Sequence, residues 1–260
     1  MSEVLEKPYN AADEHALTRG PAAVWDYLAR PLAEHIFIPL EQRNHNMAVV
    51  ALNATLTAPR LLKPLIGNRY SQHVESGQSW AAVGDVALST AFDATDGLDG
   101  ATVRRSNLGS SFGIGFDSFV DAASLRDDIK RVREQAIIKE DATVLRLLRL
   151  DGRIKQGTIA LGGVANKASE VYVERCKGVE LEPHEKAHSG PFGKAYFLAG
   201  AVATKALQIA YAFPDDTATR KYWRRAGIGI QTTAIGLGVA ANGQYVGNII
   251  KRLRKPAEIS

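Results

Sequence analysis

The chain has 260 residues, 45% of them apolar and 23% charged, enough for one sizeable core or one compact bundle of helices. A formal charge of +4 comes from scattered Lys and Arg, so there is no basic stripe for nucleic acid and at most weak attraction to anionic lipid or phosphate. One cysteine, Cys176, excludes an internal disulfide and a cysteine-rich metal site, and the acidic opening Met-Ser-Glu-Val-Leu-Glu-Lys is not expected to be a cleavable signal.

Residues 1–46 read as a polar segment of their own, ahead of a main domain expected over 47–255. Within 22–40, Val24, Trp25, Leu28, Leu32, Ile36 and Ile38 fall mostly at helical spacing. That pattern predicts an amphipathic helix, able to lie on a membrane surface or to pack on a core. From 47 onward the pattern is helical almost throughout. Stretch 47–66 is apolar with Arg60 and Lys63 inside it, 80–92 is apolar except for Asp85, and 122–155 is charged and amphipathic. Further on, 195–213 carries only Lys205 as a charge and 226–250 carries none. About 20 apolar residues cross a bilayer, and the Gly, Ala and Thr in both stretches suit close helix packing. Lys221, Arg224 and Arg225 precede the last stretch and Lys251, Arg252, Arg254 and Lys255 follow it, which leaves its orientation open. Two buried helices of an all-α protein are the alternative, and the mean hydropathy of −0.13, taken alone, argues for it.

The chemistry concentrates between residues 92 and 121. Asp96 and Asp99 are three apart and Asp117 and Asp121 four apart, so on helices each pair projects from one face. Four carboxylates on apolar helices are costly unless a cation neutralises them. A hard divalent ion with oxygen ligands does so and keeps positions open for phosphate. Gly97, Gly100, Gly113 and Gly115, each a cost of about 1 kcal/mol in a helix, point to a close approach of backbone to a ligand or a second helix.

These residues resemble the signature of the CDP-alcohol phosphatidyltransferases. The family carries Asp-x-x-Asp-Gly-x-x-Ala-Arg, eight residues, then Gly-x-x-x-Asp-x-x-x-Asp. Here the chain reads Asp96-Gly-Leu-Asp99-Gly100-Ala-Thr-Val103-Arg104, eight residues, then Gly113-Ile-Gly-Phe-Asp117-Ser-Phe-Val-Asp121. Seven of the eight fixed positions match with the family's gaps, the departure being Val103 for Ala. Upstream, Asn53-Ala-Thr-Leu-Thr57-Ala-Pro-Arg60 is similar to the Asn-x-x-x-Thr-x-x-Arg element of the family's first helix. A second departure is the charged Leu125-Arg-Asp-Asp-Ile-Lys-Arg-Val-Arg-Glu, where the family is more apolar.

The resemblance implies an all-α, polytopic membrane bundle of about six transmembrane helices around a polar cavity, integral to the cell membrane and open to the cytoplasm. It implies Mg²⁺ or Mn²⁺, two ions, held by Asp96, Asp99 and Asp117, with Asp121 as a ligand or the general base. Gly100 and Arg104 would contact the CDP moiety, and Gly113, Asn53 and Thr57 belong to the same donor-binding set. The implied reaction moves a phosphatidyl group from CDP-diacylglycerol to a small alcohol and releases CMP. Arg104-Arg-Ser-Asn107-Leu-Gly-Ser110-Ser-Phe112-Gly113 is similar to the phosphatidylserine synthase branch, which makes L-serine the expected acceptor. Glycerol 3-phosphate or inositol (phosphate) are the alternatives, with Arg146, Arg149, Arg153 and Lys155 as cations for a phosphorylated acceptor. A membrane scaffold of the same fold without activity is the alternative of another class. The expected partners are the two substrates, the bilayer and a second copy in a homodimer, with no nucleic acid.

Overall fold

The computed structural model describes residues 24, 27–106, 126–181 and 190–256, and every regular element among them is helical. The chain divides into two compact units, one made of 1–132 with 208–221, the other of 133–207 with 222–260.

In the first unit, helix α1 covers 27–43, with a π turn at Ala33–Phe37 followed by Ile38–Arg43. It buries Ala29, Ala33 and Phe37, four residues apart, and leaves Leu28 and Ile36 exposed. Asn44 breaks the run with an extended backbone and caps the next helix, its Oδ1 accepting from Met47 N at 3.0 Å. Helix α2 then runs as α-helix over His45–Leu52, π-helix over Asn53–Thr57, 3₁₀ over Ala58–Leu62, and α-helix again over Lys63–Glu75. Proline explains the sequence of forms. Pro59 has no N–H for the carbonyl of Thr55, so the ladder is interrupted there; one residue earlier, Ala58 N–H bonds Asn53 O across the wider π ring. A turn through Gly77 at φ +71°, a value that favours glycine, closes α2 with Gly77 N on Val74 O and Gln78 N on His73 O.

Helix α3, Ser79–Ser106, returns along α2. Two apolar clusters join them. Phe37, Ala48, Val49, Leu52 and Leu56 pack with Leu98 and Val103, while Tyr70, Ala82, Val86 and Ala212 pack with Val74, Val83, Ile209 and Phe213. Tyr70 Oη donates to Gln208 O at 2.7 Å. Helix α4 covers 126–138.

The second unit is built on helix α5, which runs Ala142–Thr158, a π segment Ile159–Ala165, and Asn166–Cys176. Asp141 caps it and is clamped by Arg224 through two bonds of 2.6 and 2.8 Å. Helices α6 (Pro191–Ala212) and α7 (Ala218–Leu253) complete the chain. Along α7 the buried positions Gly227, Gln231, Ala234, Gly238, Ala241 and Tyr245 recur at about 3.5 residues, a seam of mostly small side chains. Gly238 is required there, because a Cβ would sit 2.5 Å from the Ile154 side chain.

No helix among the described residues is long and apolar enough to cross a membrane. This overturns the expected polytopic bundle of about six transmembrane helices. The stretches 195–213 and 226–250 do form helices, α6 and α7, and length is not what they lack. In α7 the residues between the apolar ones are Gln231, Thr232, Thr233, Asn242, Gln244 and Asn248, uncharged but polar, and α6 carries Lys194 and Lys205. Absence of charge is not the same as apolarity.

Candidate functional site

Helix α3 carries Asp93, Asp96 and Asp99 at successive three-residue steps in one uninterrupted helical run. Gly100 and Arg104 continue that run toward Ser106. The backbones of Asp96, Asp99, Gly100 and Arg104 are described but their side chains are not, and Gly113, Asp117 and Asp121 lie outside the described residues. No group of three or more potential metal ligands occurs among the described residues.

Helix α3 lies alongside α2. The π segment of α2 packs against it, and Leu52 and Leu56 meet Leu98 and Val103 there. The structure therefore places Asn53 and Thr57 on the element next to the aspartate helix. Both are buried, Thr57 completely, and Asn53 Nδ2 donates to Val49 O at 2.8 Å. Arg60 and Lys63 follow along α2, each at most 2% exposed. Buried Arg and Lys are rare unless compensated, so this helix carries two cations into the interior.

The compensation of Lys63 is visible. Its Nζ donates to Asp93 Oδ1 of α3 and to Asp128 Oδ2 of α4, both at 2.6 Å. Gln208 Nε2 donates to the other oxygen of Asp128 at 3.2 Å, while Gln208 Oε1 is buried with no hydrogen-bond partner among the described residues. Burial lowers the proton affinity of the Lys63 amine, but Asp128 and Asp93 outweigh it and hold its pKa above the ordinary 10.5. The amine is a fixed cation, not a base.

Two more polar knots brace the same helices. Arg131 bonds both oxygens of Asp127 and reaches Ser71 Oγ, Pro64 O and Asn68 Oδ1 of α2 at 3.1–3.2 Å. Its guanidinium lies over Gly67, where a Cβ would come within 1.8 Å of Nε. At the other end of the pair, Asp85 of α3 is 2% exposed and meets His73 Nδ1 at 2.7 Å and Arg69 at 3.2 Å. Burial also pushes the Tyr70 phenol well above its usual pKa of 10.

No protein-family model matches the chain, and no curated protein and no solved structure matches it.

The sequence shows Lys63 and Asp85 only as charges interrupting apolar stretches and Asp128 only as part of a charged run, and it gives Asp93 no role. Their significance lies in contacts 30 and 65 residues away along the chain for Lys63.

Proposed function

We propose that the chain catalyses transfer of a phosphatidyl group from CDP-diacylglycerol to a small alcohol, L-serine being the acceptor its motif favours, with release of CMP. The observation that carries the reading is the placement of Asp96 and Asp99 one turn apart on an unbroken helix, packed against the Asn53–Thr57 segment that the same motif comparison singles out, with Asn53 and Thr57 themselves buried.

The donor set suits a hard divalent cation, since Asp96, Asp99 and Asp117 offer only carboxylate oxygens. Mg²⁺ or Mn²⁺ held by these three would supply the positive charge that a diphosphate and a departing CMP need. The residues do the rest. Gly100 leaves room for the nucleotide against the α3 backbone, and Arg104 provides a planar cation for a phosphate oxygen. Asp121 takes the proton of the acceptor hydroxyl. The acceptor oxygen forms a bond to the phosphatidyl phosphorus as the bond from that phosphorus to the CMP oxygen breaks. Buried Arg60 and Lys63 add positive charge close to a carboxylate-rich helix and limit its self-repulsion.

The test is release of CMP from CDP-diacylglycerol presented in mixed micelles, with Mg²⁺ or Mn²⁺ and, in separate reactions, L-serine, glycerol 3-phosphate or inositol. Metal-dependent release that requires L-serine supports the reading. Release with another acceptor keeps the chemistry and replaces the alcohol. No release with any acceptor over a range of metal concentrations rejects it.

A further inference from the structure

Lys63 stands between three helices. Its ammonium bridges Asp93 on α3 and Asp128 on α4, and Gln208 on α6 holds the second oxygen of Asp128. All four residues belong to the first unit. The lysine side chain is 1% exposed and Asp128 8%, so that arm of the bridge is buried on both sides, while Asp93, 32% exposed, meets the buried ammonium from the edge of the interior. Asp93 is one helical turn before Asp96 and two before Asp99, on the same unbroken helix. Fixing Asp93 fixes the rotation and the axial setting of the turns that carry the two motif aspartates. The amine keeps its proton at any physiological pH, which suits a permanent clamp and not a group that shuttles protons.

We infer that Lys63 is a positioning residue: by clamping Asp93 to Asp128 it sets the register in which α3 presents Asp96 and Asp99 to a divalent cation. This rests on the metal-dependent reading given above. It assigns to Lys63 a role in which it touches neither substrate nor metal. Residues that orient ligands from behind typically change metal affinity or turnover by about 10–100-fold when removed.

The experiment uses the full chain and measures two quantities for each protein, Mn²⁺ affinity by electron paramagnetic resonance and kcat for CMP release per folded molecule. Lys63→Met should weaken Mn²⁺ binding and lower kcat, each by about tenfold or more. Asp93→Asn keeps an acceptor for the amine but loses the charge, so it covers the case in which Lys63→Met does not fold, and should fall between Lys63→Met and the parent. Asp128→Asn should act through the same clamp, and the Lys63→Met/Asp128→Asn double variant should be no worse than Lys63→Met alone. Lys63→Arg should recover part of both quantities. A residue that merely supports the fold would lower melting temperature while leaving Mn²⁺ affinity and kcat of the folded fraction unchanged, and that result overturns the assignment. Parent protein that binds Mn²⁺ without releasing CMP, with binding weakened in Lys63→Met, sinks the transfer reading and keeps the clamp. Parent protein that releases CMP, with Lys63→Met and Asp93→Asn unchanged in both quantities, sinks the clamp alone. Parent protein that neither binds Mn²⁺ nor releases CMP overturns both.

Discussion

Helices α2 and α5 share a backbone irregularity and differ in almost everything around it. Each breaks from α-helix into a π segment, Asn53–Thr57 in one and Ile159–Ala165 in the other. In α2 the break adjoins a proline, its Asn53, Leu56 and Thr57 are buried, and two buried cations follow within two turns. In α5 the break contains Gly162 and Gly163, buries none of its residues, and is flanked by no buried Lys or Arg on its own helix. A π segment often accompanies function, and what differs between these two is the burial of the segment and the sign of the charge buried around it. Both helices carry charge into the interior, Arg60 and Lys63 on α2 and Asp151 and Glu170 on α5, and each buried ion costs several kcal/mol unless something opposite meets it. In the first unit Lys63, Arg131 and Asp85 each meet an opposite charge, as Asp141 and Asp151 do in the second, whereas the seam of α7 is uncharged from Gly227 to Tyr245.

The largest expected effect tests the chemistry that the first unit would house. Asp121→Asn should cut CMP turnover by about 10²–10⁴-fold while leaving Mn²⁺ affinity near the parent value, if Asp121 is the base. Asp96→Asn, Asp99→Asn and Asp117→Asn should lose Mn²⁺ affinity and turnover together, since an amide is a poorer ligand for a hard cation. Loss of Mn²⁺ by Asp121→Asn as complete as that of Asp96→Asn would make Asp121 a ligand.

Next in size is stability. Lys63→Met leaves buried Asp128 without its ammonium and should cost about 3–5 kcal/mol in denaturant unfolding. Lys155→Met in the second unit removes a more exposed ammonium, 15% against 1% for Lys63, that meets one carboxylate, Asp151, at 2.8 Å, and should cost only about 1–2 kcal/mol. Equal losses would erase the contrast between the units. The same lysine sets an alkaline limit. Because its folded pKa lies above 10.5, its stabilisation is complete below pH 10.5 and is lost as pH rises through the folded value. Tyr70, also raised, pushes in the same direction. Stability curves of the parent and Lys63→Met should therefore draw together as pH rises beyond 10.5, and curves that stay parallel would count against the buried pair.

The smallest effect separates the two glycines of α5. A Cβ on Gly162 would lie 2.7 Å from the ring of Tyr245, while one on Gly163 meets nothing within 4 Å. Gly162→Ala should cost about 1–3 kcal/mol through overpacking, and Gly163→Ala should be neutral or mildly stabilising. Thermal melts of both variants decide it, and similar shifts would show that the π segment tolerates bulk on either side.

The all-helical class was legible in the periodicity, because helices such as α1 and α3 keep their apolar residues three and four apart. The membrane expectation failed because 226–250 was judged by missing charges, while Gln231, Asn242 and Gln244 lower its apolarity without adding any. The helix under Asp96 and Asp99 was legible from their three-residue spacing, and both fall on α3, while Asp117 and Asp121 lie outside the described residues. Lys63 was not legible, because its partners come from 30 and 65 residues away and no local spacing encodes them. Asp85 escaped for a similar reason, its burial making sense only once the turn at Gly77 brings His73 and Arg69 alongside.

Titration of the full chain with Mn²⁺, followed by electron paramagnetic resonance, tests most directly whether α3 is a metal-presenting helix. The expected result is saturable binding by the parent protein that Asp96→Asn and Asp99→Asn each abolish or weaken by at least tenfold. Binding that is absent in the parent, or present and unchanged in both variants, would contradict it.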